Sequence, residues 1–238
     1  RRARIVVITT GGQLNALAQQ ENVPIWRIRY DGEPRTAIAY SLLFPAAILE
    51  HLKLVNSFEV AVLESTQILS SLVLKLNHRV SVEDNPAKEL AMLLQGKLIV
   101  VYGGGILAGV ARRWKTQLNE NAKAWAFVEL LPEAGHNAIA GFKSPNLIAE
   151  NTAAILLNCW QMEERFTTRF RVIEELLMQA GSNCRTVDGV GLSDMAQVLS
   201  LVVFGDYTSY YLSLLNEEDP SPVPVLDYLK GELRKGTS

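Results

Sequence analysis

From Asn119 to Asn137 the chain reads N-E-N-A-K-A-W-A-F-V-E-L-L-P-E-A-G-H-N, with three carboxylates, Glu120, Glu129 and Glu133, and one of the chain's three histidines, His136. Carboxylates and imidazoles are the side chains most often used as general acids and bases, the imidazole titrating close to neutral pH. Ala124 to Leu131 is apolar apart from Glu129 and reads as a buried strand. It separates a helix end at Glu120 from a Gly-His-Asn turn at His136. One reading is an acid–base pair at the two sides of a strand. The other is a helix-end glutamate and a polar loop histidine, and spacing alone leaves both open. Glu129 and Glu133 read as structural or substrate-adjacent. His51 and His78 sit near helix ends and read as surface or capping residues.

The surrounding elements are those of an α/β protein. Ile5 to Thr9 is a β-branched run without polar alternation, as in a parallel strand covered on both faces. Thr10-Gly11-Gly12 breaks it, Gln13 to Gln20 reads as a short helix, and Val23 to Ile28 as a second strand with Pro24 at its start or on an edge. This β-α-β order implies a right-handed crossover. Two long helices follow, Thr36 to Leu54 with a kink or break at Pro45, and Phe58 to Leu76; Asn85-Pro86 opens a third. From residue 98 strands and helices alternate in the manner of a doubly wound parallel sheet. Leu98 to Tyr102 is its clearest strand, followed by Gly103-Gly104-Gly105 and a helix to about Glu120. Such a turn offers backbone amides to an anion, or lets helix and strand pack closely; it is neither a dinucleotide fingerprint nor a Walker loop. The strands Thr152–Cys159 and Cys184–Val187 and the helices 162–179, 195–215 and 223–235 complete the order.

Composition excludes several classes. The 238 residues are 48% hydrophobic and 20% charged, which allows a sizeable core. Net charge is −2 with no basic stripe, so no nucleic-acid partner is expected. Cys159 and Cys184 have no metal-ligand spacing, and neither metal nor cofactor is expected; unpaired thiols fit a reducing cytoplasm. The apolar runs carry charges within a spanning length, so no transmembrane helix is expected. The chain opens Arg1-Arg2-Ala3-Arg4 directly before a strand, as if it began inside a domain.

N-E-N-A-K (119–123) followed by E-L-L-P-E-A-G-H-N (129–137) resembles the second sugar isomerase (SIS) domain of the bifunctional phosphoglucose/phosphomannose isomerases. I-T-T-G-G (8–12), E-P-R (33–35), N-P-A-K (85–88), G-D-Y-T-S-Y-Y-L (205–212), D-P-S-P-V (219–223) and L-D-Y-L-K (226–230) agree in order, so the resemblance spans nearly the whole chain. It implies SIS-type parallel sheets flanked by helices, with residues 1–84 as the end of a first SIS domain plus connecting helices and 85–238 as a complete second one. It implies aldose–ketose isomerisation of glucose 6-phosphate and mannose 6-phosphate to fructose 6-phosphate, by a homodimer. The same resemblance implies roles: Glu120 as the base between C1 and C2, His136 from the neighbouring subunit in ring opening, Lys230 by the ring oxygen, and Arg35 against the enediolate. Taken singly, Arg35 and Lys230 read as surface charges.

The family holds its substrate's phosphate on serines and threonines of the first domain, in a turn that this sequence does not contain; Ser65 and Thr66 lack its glycine-rich context. Two alternatives follow: a catalytically idle SIS protein that binds a sugar phosphate as a regulator, or an isomerase of another phosphosugar.

Overall fold

The computed structural model describes residues 3–160, 162 and 164–236. They fall into two compact units, residues 1–60 and 61–238.

In the first unit, β1 (Val7–Thr9) and β2 (Ile25–Arg27) pair in parallel, Val7 opposite Ile25 and Thr9 opposite Arg27. Between them runs α1 (Gly12–Gln20). The turn into it needs glycine, since Gly12 has φ +67°. The Gly11 amide donates to Thr9 Oγ1 at 3.2 Å. α2 (Ile38–His51) continues through Pro45, so the break expected there does not occur. Trp26 of β2 meets Phe44 of α2 edge-on at 5.3 Å, and Phe44 meets Tyr40 at 5.4 Å.

The second unit takes in nearly all of α3 (Glu59–Leu76), then α4 (Pro86–Leu94). Asn85 caps α4, accepting from the amides of Ala87 and Lys88, while its own amide donates to the carbonyls of Leu76 and Asn77. This one buried side chain therefore serves both the end of α3 and the start of α4. There follow β3 (Leu98–Gly104), α5 (Ala108–Glu120), β4 (Ala126–Leu131), α6 (Asn146–Glu150), β5 (Thr152–Asn158), α7 (Glu164–Gln179), β6 (Asn183–Asp188), α8 (Asp194–Leu215) and α9 (Pro224–Lys235).

The four strands are all parallel, in the order β4-β3-β5-β6. The chain steps from β3 out to β4, then crosses to β5 and β6, so right-handed crossovers put α5 and α7 on opposite faces. Two adjacent glycines mark those faces. A Cβ on Gly103 would lie 2.6 Å from Ala111 Cβ of α5, and one on Gly104 would lie 2.7 Å from the Phe166 ring of α7. On the α7 side Tyr102, Leu131, Ala154 and Leu156 pack with Phe170, Ile173 and Leu177.

β4 is thus an edge strand, not the fully buried strand its apolar run suggests. Phe127 is 41% exposed, and Trp125, just before β4, is 72% exposed. An apolar run shows that a strand touches a core, but the sheet order decides whether its outer side is covered. Between β4 and β5, where the sequence suggests only a turn, the chain makes 3-10 turns at Glu133–Gly135 and Ala138–Gly141 before α6.

α8 is long and apolar enough to cross a bilayer, but half of it is buried inside the fold. It is the core helix here. Trp114 of α5 lies on it so closely that a Cβ on Gly205 would fall 2.5 Å from the indole, and Trp114 Nε1 donates to the Leu201 carbonyl at 2.8 Å.

Candidate functional site

Glu120 is the last residue of α5. Helix ends leave carbonyls unpaired and tend to fray, but this one is held on several sides. Before it, Arg113 donates to both oxygens of Asp206 on α8 at 2.9 and 2.8 Å, and Gln117 Nε2 donates to the same carboxylate at 3.1 Å. Beyond it, Asn121 Nδ2 donates to Ser209 Oγ at 3.0 Å, and Asn216 Nδ2 to the Ala122 carbonyl at 2.9 Å. Asn119 Nδ2 closes the turn on the Ala124 carbonyl at 2.8 Å. Burial pushes the Asp206 carboxyl up, against the downward pull of the Arg113 charge and of its bonds from Arg113 and Gln117. Arg113 and Asp206 form a half-buried pair whose geometry fixes the crossing of α5 on α8.

His136 lies past the other end of β4, closing the 3-10 turn at Glu133 with its backbone amide on the Glu133 carbonyl at 2.8 Å. It is exposed, and among the described residues its imidazole has no hydrogen-bond partner. β4 rises about 3.3 Å per residue, so the strand alone puts roughly 17 Å between the ends that carry Glu120 and His136. Between them, Glu129 faces the same layer as Tyr102, its register partner. Burial, and then the nearby Glu133, raise its carboxyl above the ordinary range. Burial, then the Glu129 charge, likewise raises the Tyr102 phenol.

Lys230 stands on α9, its side chain 66% exposed, with Nζ 4.0 Å from Asp227 Oδ1. α9 has no buried residue, and Val225, Leu229 and Leu233 form an exposed apolar side. Arg35 belongs to the first unit, in a 3-10 turn that Pro34 begins. Its side chain is only 13% exposed, and its guanidinium reaches Glu33 at 3.3 Å. It is therefore not the freely solvated charge that its place beside a proline suggests. His51 ends α2 and His78 follows α3, both exposed.

Among the described residues, the crevice where a phosphate would commonly sit in the second unit is lined by no cationic side chain. In a doubly wound sheet the usual ligand position is the crevice beyond the carboxyl ends of the strands where the winding reverses, here β3 and β5. A cavity of about 200 Å³ lies there, lined by Gly104, Gly105, Cys159, Met162, Phe166 and Asp194. Phe166 lies against Gly104, and Asp194 brings negative charge. Gly103 and Gly104 serve packing, one toward each helix layer. The hydroxyls of Ser65 and Thr66 are turned onto their own helix, donating to the carbonyls of Ala61 and Val62. A cleft of about 310 Å³ between α3, α4 and β6 holds none of Glu120, His136, Lys230 or Arg35.

Residue reasoning missed the clamp around Glu120. Its members looked like ordinary polar residues on two helices. The legible signal was G-D-Y-T-S-Y-Y-L, where Gly205, Asp206 and Ser209 fall on the one side of α8 that receives α5.

The bacterial phospho-glucose isomerase C-terminal SIS domain matches residues 83–233. A bifunctional phosphoglucose/phosphomannose isomerase of Caldicellulosiruptor bescii is 32% identical over 97% of this chain and 68% of its own length. One from Aquifex aeolicus is 31% identical over 96% of this chain and 67% of its own. Among solved structures, a glucose-6-phosphate isomerase like protein from Thermus thermophilus superposes with a TM-score of 0.60 at 25% identity, over 69% of this chain and 55% of that one.

Proposed function

The chain belongs to the bifunctional phosphoglucose/phosphomannose isomerases, a family of phosphosugar isomerases, and from that premise we propose that it interconverts glucose 6-phosphate and mannose 6-phosphate with fructose 6-phosphate through an enediolate. In this reading residues 85–238 are a second SIS domain, and residues 1–84 are the end of a first one with its connecting helices. The protein works in the cytoplasm as a homodimer.

The reaction asks for a base fixed to a fraction of an ångström beside a weakly acidic C–H. The Glu120 carboxylate takes the C2 proton of the open-chain aldose. The C–H electron pair becomes the C1=C2 bond, and the carbonyl pair moves onto O1. A proton passes between O2 and O1, and Glu120 returns its proton to C1, giving the ketose. The Arg35 guanidinium balances the enediolate. His136 of the neighbouring subunit and Lys230 serve ring opening, moving protons at the anomeric hydroxyl and the ring oxygen.

The observation that carries this reading is the rigid seat of Glu120, a carboxylate at a helix end whose neighbours Asn119, Asn121 and Ala122 are each hydrogen-bonded to their surroundings. Such fixing is what a base in near-attack geometry requires. The test is Glu120→Gln, assayed from fructose 6-phosphate in one direction and from glucose 6-phosphate and mannose 6-phosphate in the other. Turnover should fall ~10²–10⁴-fold, with substrate still binding and the thermal melt unchanged. Turnover within a few-fold of the parent removes Glu120 from the role of base.

A further inference from the structure

N-E-N-A-K ends in a lysine that the proposed chemistry leaves unused. Lys123 lies half-buried in the turn after α5 with φ +51°, a left-handed backbone that a non-glycine side chain adopts at a cost and keeps only where its surroundings hold it. Its side chain folds back under the helix end. Nζ donates to the Glu120 carbonyl at 2.8 Å, to the Asn121 carbonyl at 3.4 Å and to the Asp219 carbonyl at 2.7 Å. An ammonium has three donor positions, and three main-chain oxygens lie within hydrogen-bond reach of this one, two of them close. Two of these oxygens belong to the end of α5, where the helix dipole favours a cation. The third belongs to the segment that leads into α9, the helix carrying Lys230.

We propose that Lys123 is a positioning residue for the isomerisation, a strut that sets the backbone of Glu120 against the Asp219 segment and thereby aims the carboxylate at C1 and C2. The proposal rests on Glu120 being the base. Its neighbours show why the lysine is needed. Asn121 and Asn216 tie the turn to α8, whereas Lys123 ties the carbonyl of Glu120 itself to Asp219. Arginine does not substitute well. Its donors lie in one planar fork, whereas the three carbonyls converge on a single point.

The test compares Lys123→Met, Lys123→Arg and Glu120→Gln in the isomerase carrying both SIS domains, with aldose substrate bearing hydrogen or deuterium at C2. In Lys123→Met kcat should fall about 10–100-fold, the loss expected of a base displaced by about 1 Å. KM should change less than about threefold, since the phosphate and hydroxyl contacts are made elsewhere. The deuterium effect on kcat should rise, because proton abstraction becomes the slow step. Lys123→Arg should recover only part of the loss. A merely structural lysine lowers the fraction of folded enzyme but leaves the isotope effect and the KM of the surviving sites at parental values; that result overturns the proposal, as does an unchanged kcat. Glu120→Gln separates the two levels. If it is inactive while Lys123→Met is normal, the strut fails and the base stands. If Glu120→Gln turns over normally, both fail.

Discussion

Glu120 and His136 stand past opposite ends of one strand, β4, with Glu120 closing α5 before it and His136 in the turn behind it. At about 3.3 Å per residue the strand between them is roughly 17 Å long. A proton-transfer group must come within about 3 Å of the atom it serves. This placement at opposite ends of a strand is the geometry that the proposed two-copy site would use, with Glu120 from one chain and His136 from its neighbour.

This gives a mixing experiment. Glu120→Gln and His136→Ala chains, each inactive as a pure dimer, should regain activity when subunits exchange. Random exchange makes half of the dimers mixed, and each mixed dimer has one site with both residues intact. Recovery should approach about a quarter of parental activity. No recovery, with exchange shown by mass-tagged chains, would place both residues in one chain's site.

The glycine pair yields a second prediction, on stability. Gly103 faces the Cβ of Ala111 on α5 and the Leu107 carbonyl just before that helix, neither of which can turn away; Gly104 faces chiefly the ring of Phe166, which can rotate, with the Leu131 Cβ behind it at 3.1 Å. Gly103→Ala should therefore cost more than Gly104→Ala. Overpacking of this kind costs about 1–3 kcal/mol, and each kcal/mol lowers the Tm by about 2–4 °C for a chain of this size. If these amides also held phosphate, the variants would lose affinity for substrate as well as stability, with KM raised in the molecules that remain folded. Thermal melts and KM measured on the same samples decide.

The sequence revealed element types better than element neighbours. The β-branched run at Leu98 to Tyr102 and the Asn85-Pro86 start of α4 were legible because their signals are local: side-chain period in one, capping in the other. The edge position of β4 was not, because Trp125 and Phe127 look the same in sequence whether or not a further strand covers them. α2 reads as interrupted because Pro45 removes a hydrogen bond, a local cost the helix nonetheless bears. At the site, Glu120 and His136 were visible as residue types within a motif. The clamp that fixes Glu120 was not, because its partners Asp206, Ser209 and Asn216 lie about 90 residues away in the chain. Only folding brings them to α5.

Glu129 gives the last prediction, on pH. Its carboxyl sits beside Tyr102 and Glu133, and burial followed by the Glu133 charge raises its pKa in the folded protein. The folded chain thus holds this proton more tightly than the unfolded chain does. The stabilisation is fully present below the unfolded pKa, and it is lost as pH rises through the folded one. Glu129→Gln resembles the protonated carboxyl and has nothing to lose. At about pH 4, near the unfolded carboxyl's own range, parent and variant should melt together, and as pH rises toward neutrality the variant should become the more stable. The gap should reach no more than about 2 °C, since water screens a carboxylate this open to solvent. Adding Glu133→Gln should shrink the gap, because it removes the like charge and leaves only burial. A variant that melts below the parent at neutral pH would show that ionised Glu129 makes a favourable contact in the folded protein, and it would reverse the sign assigned to this group.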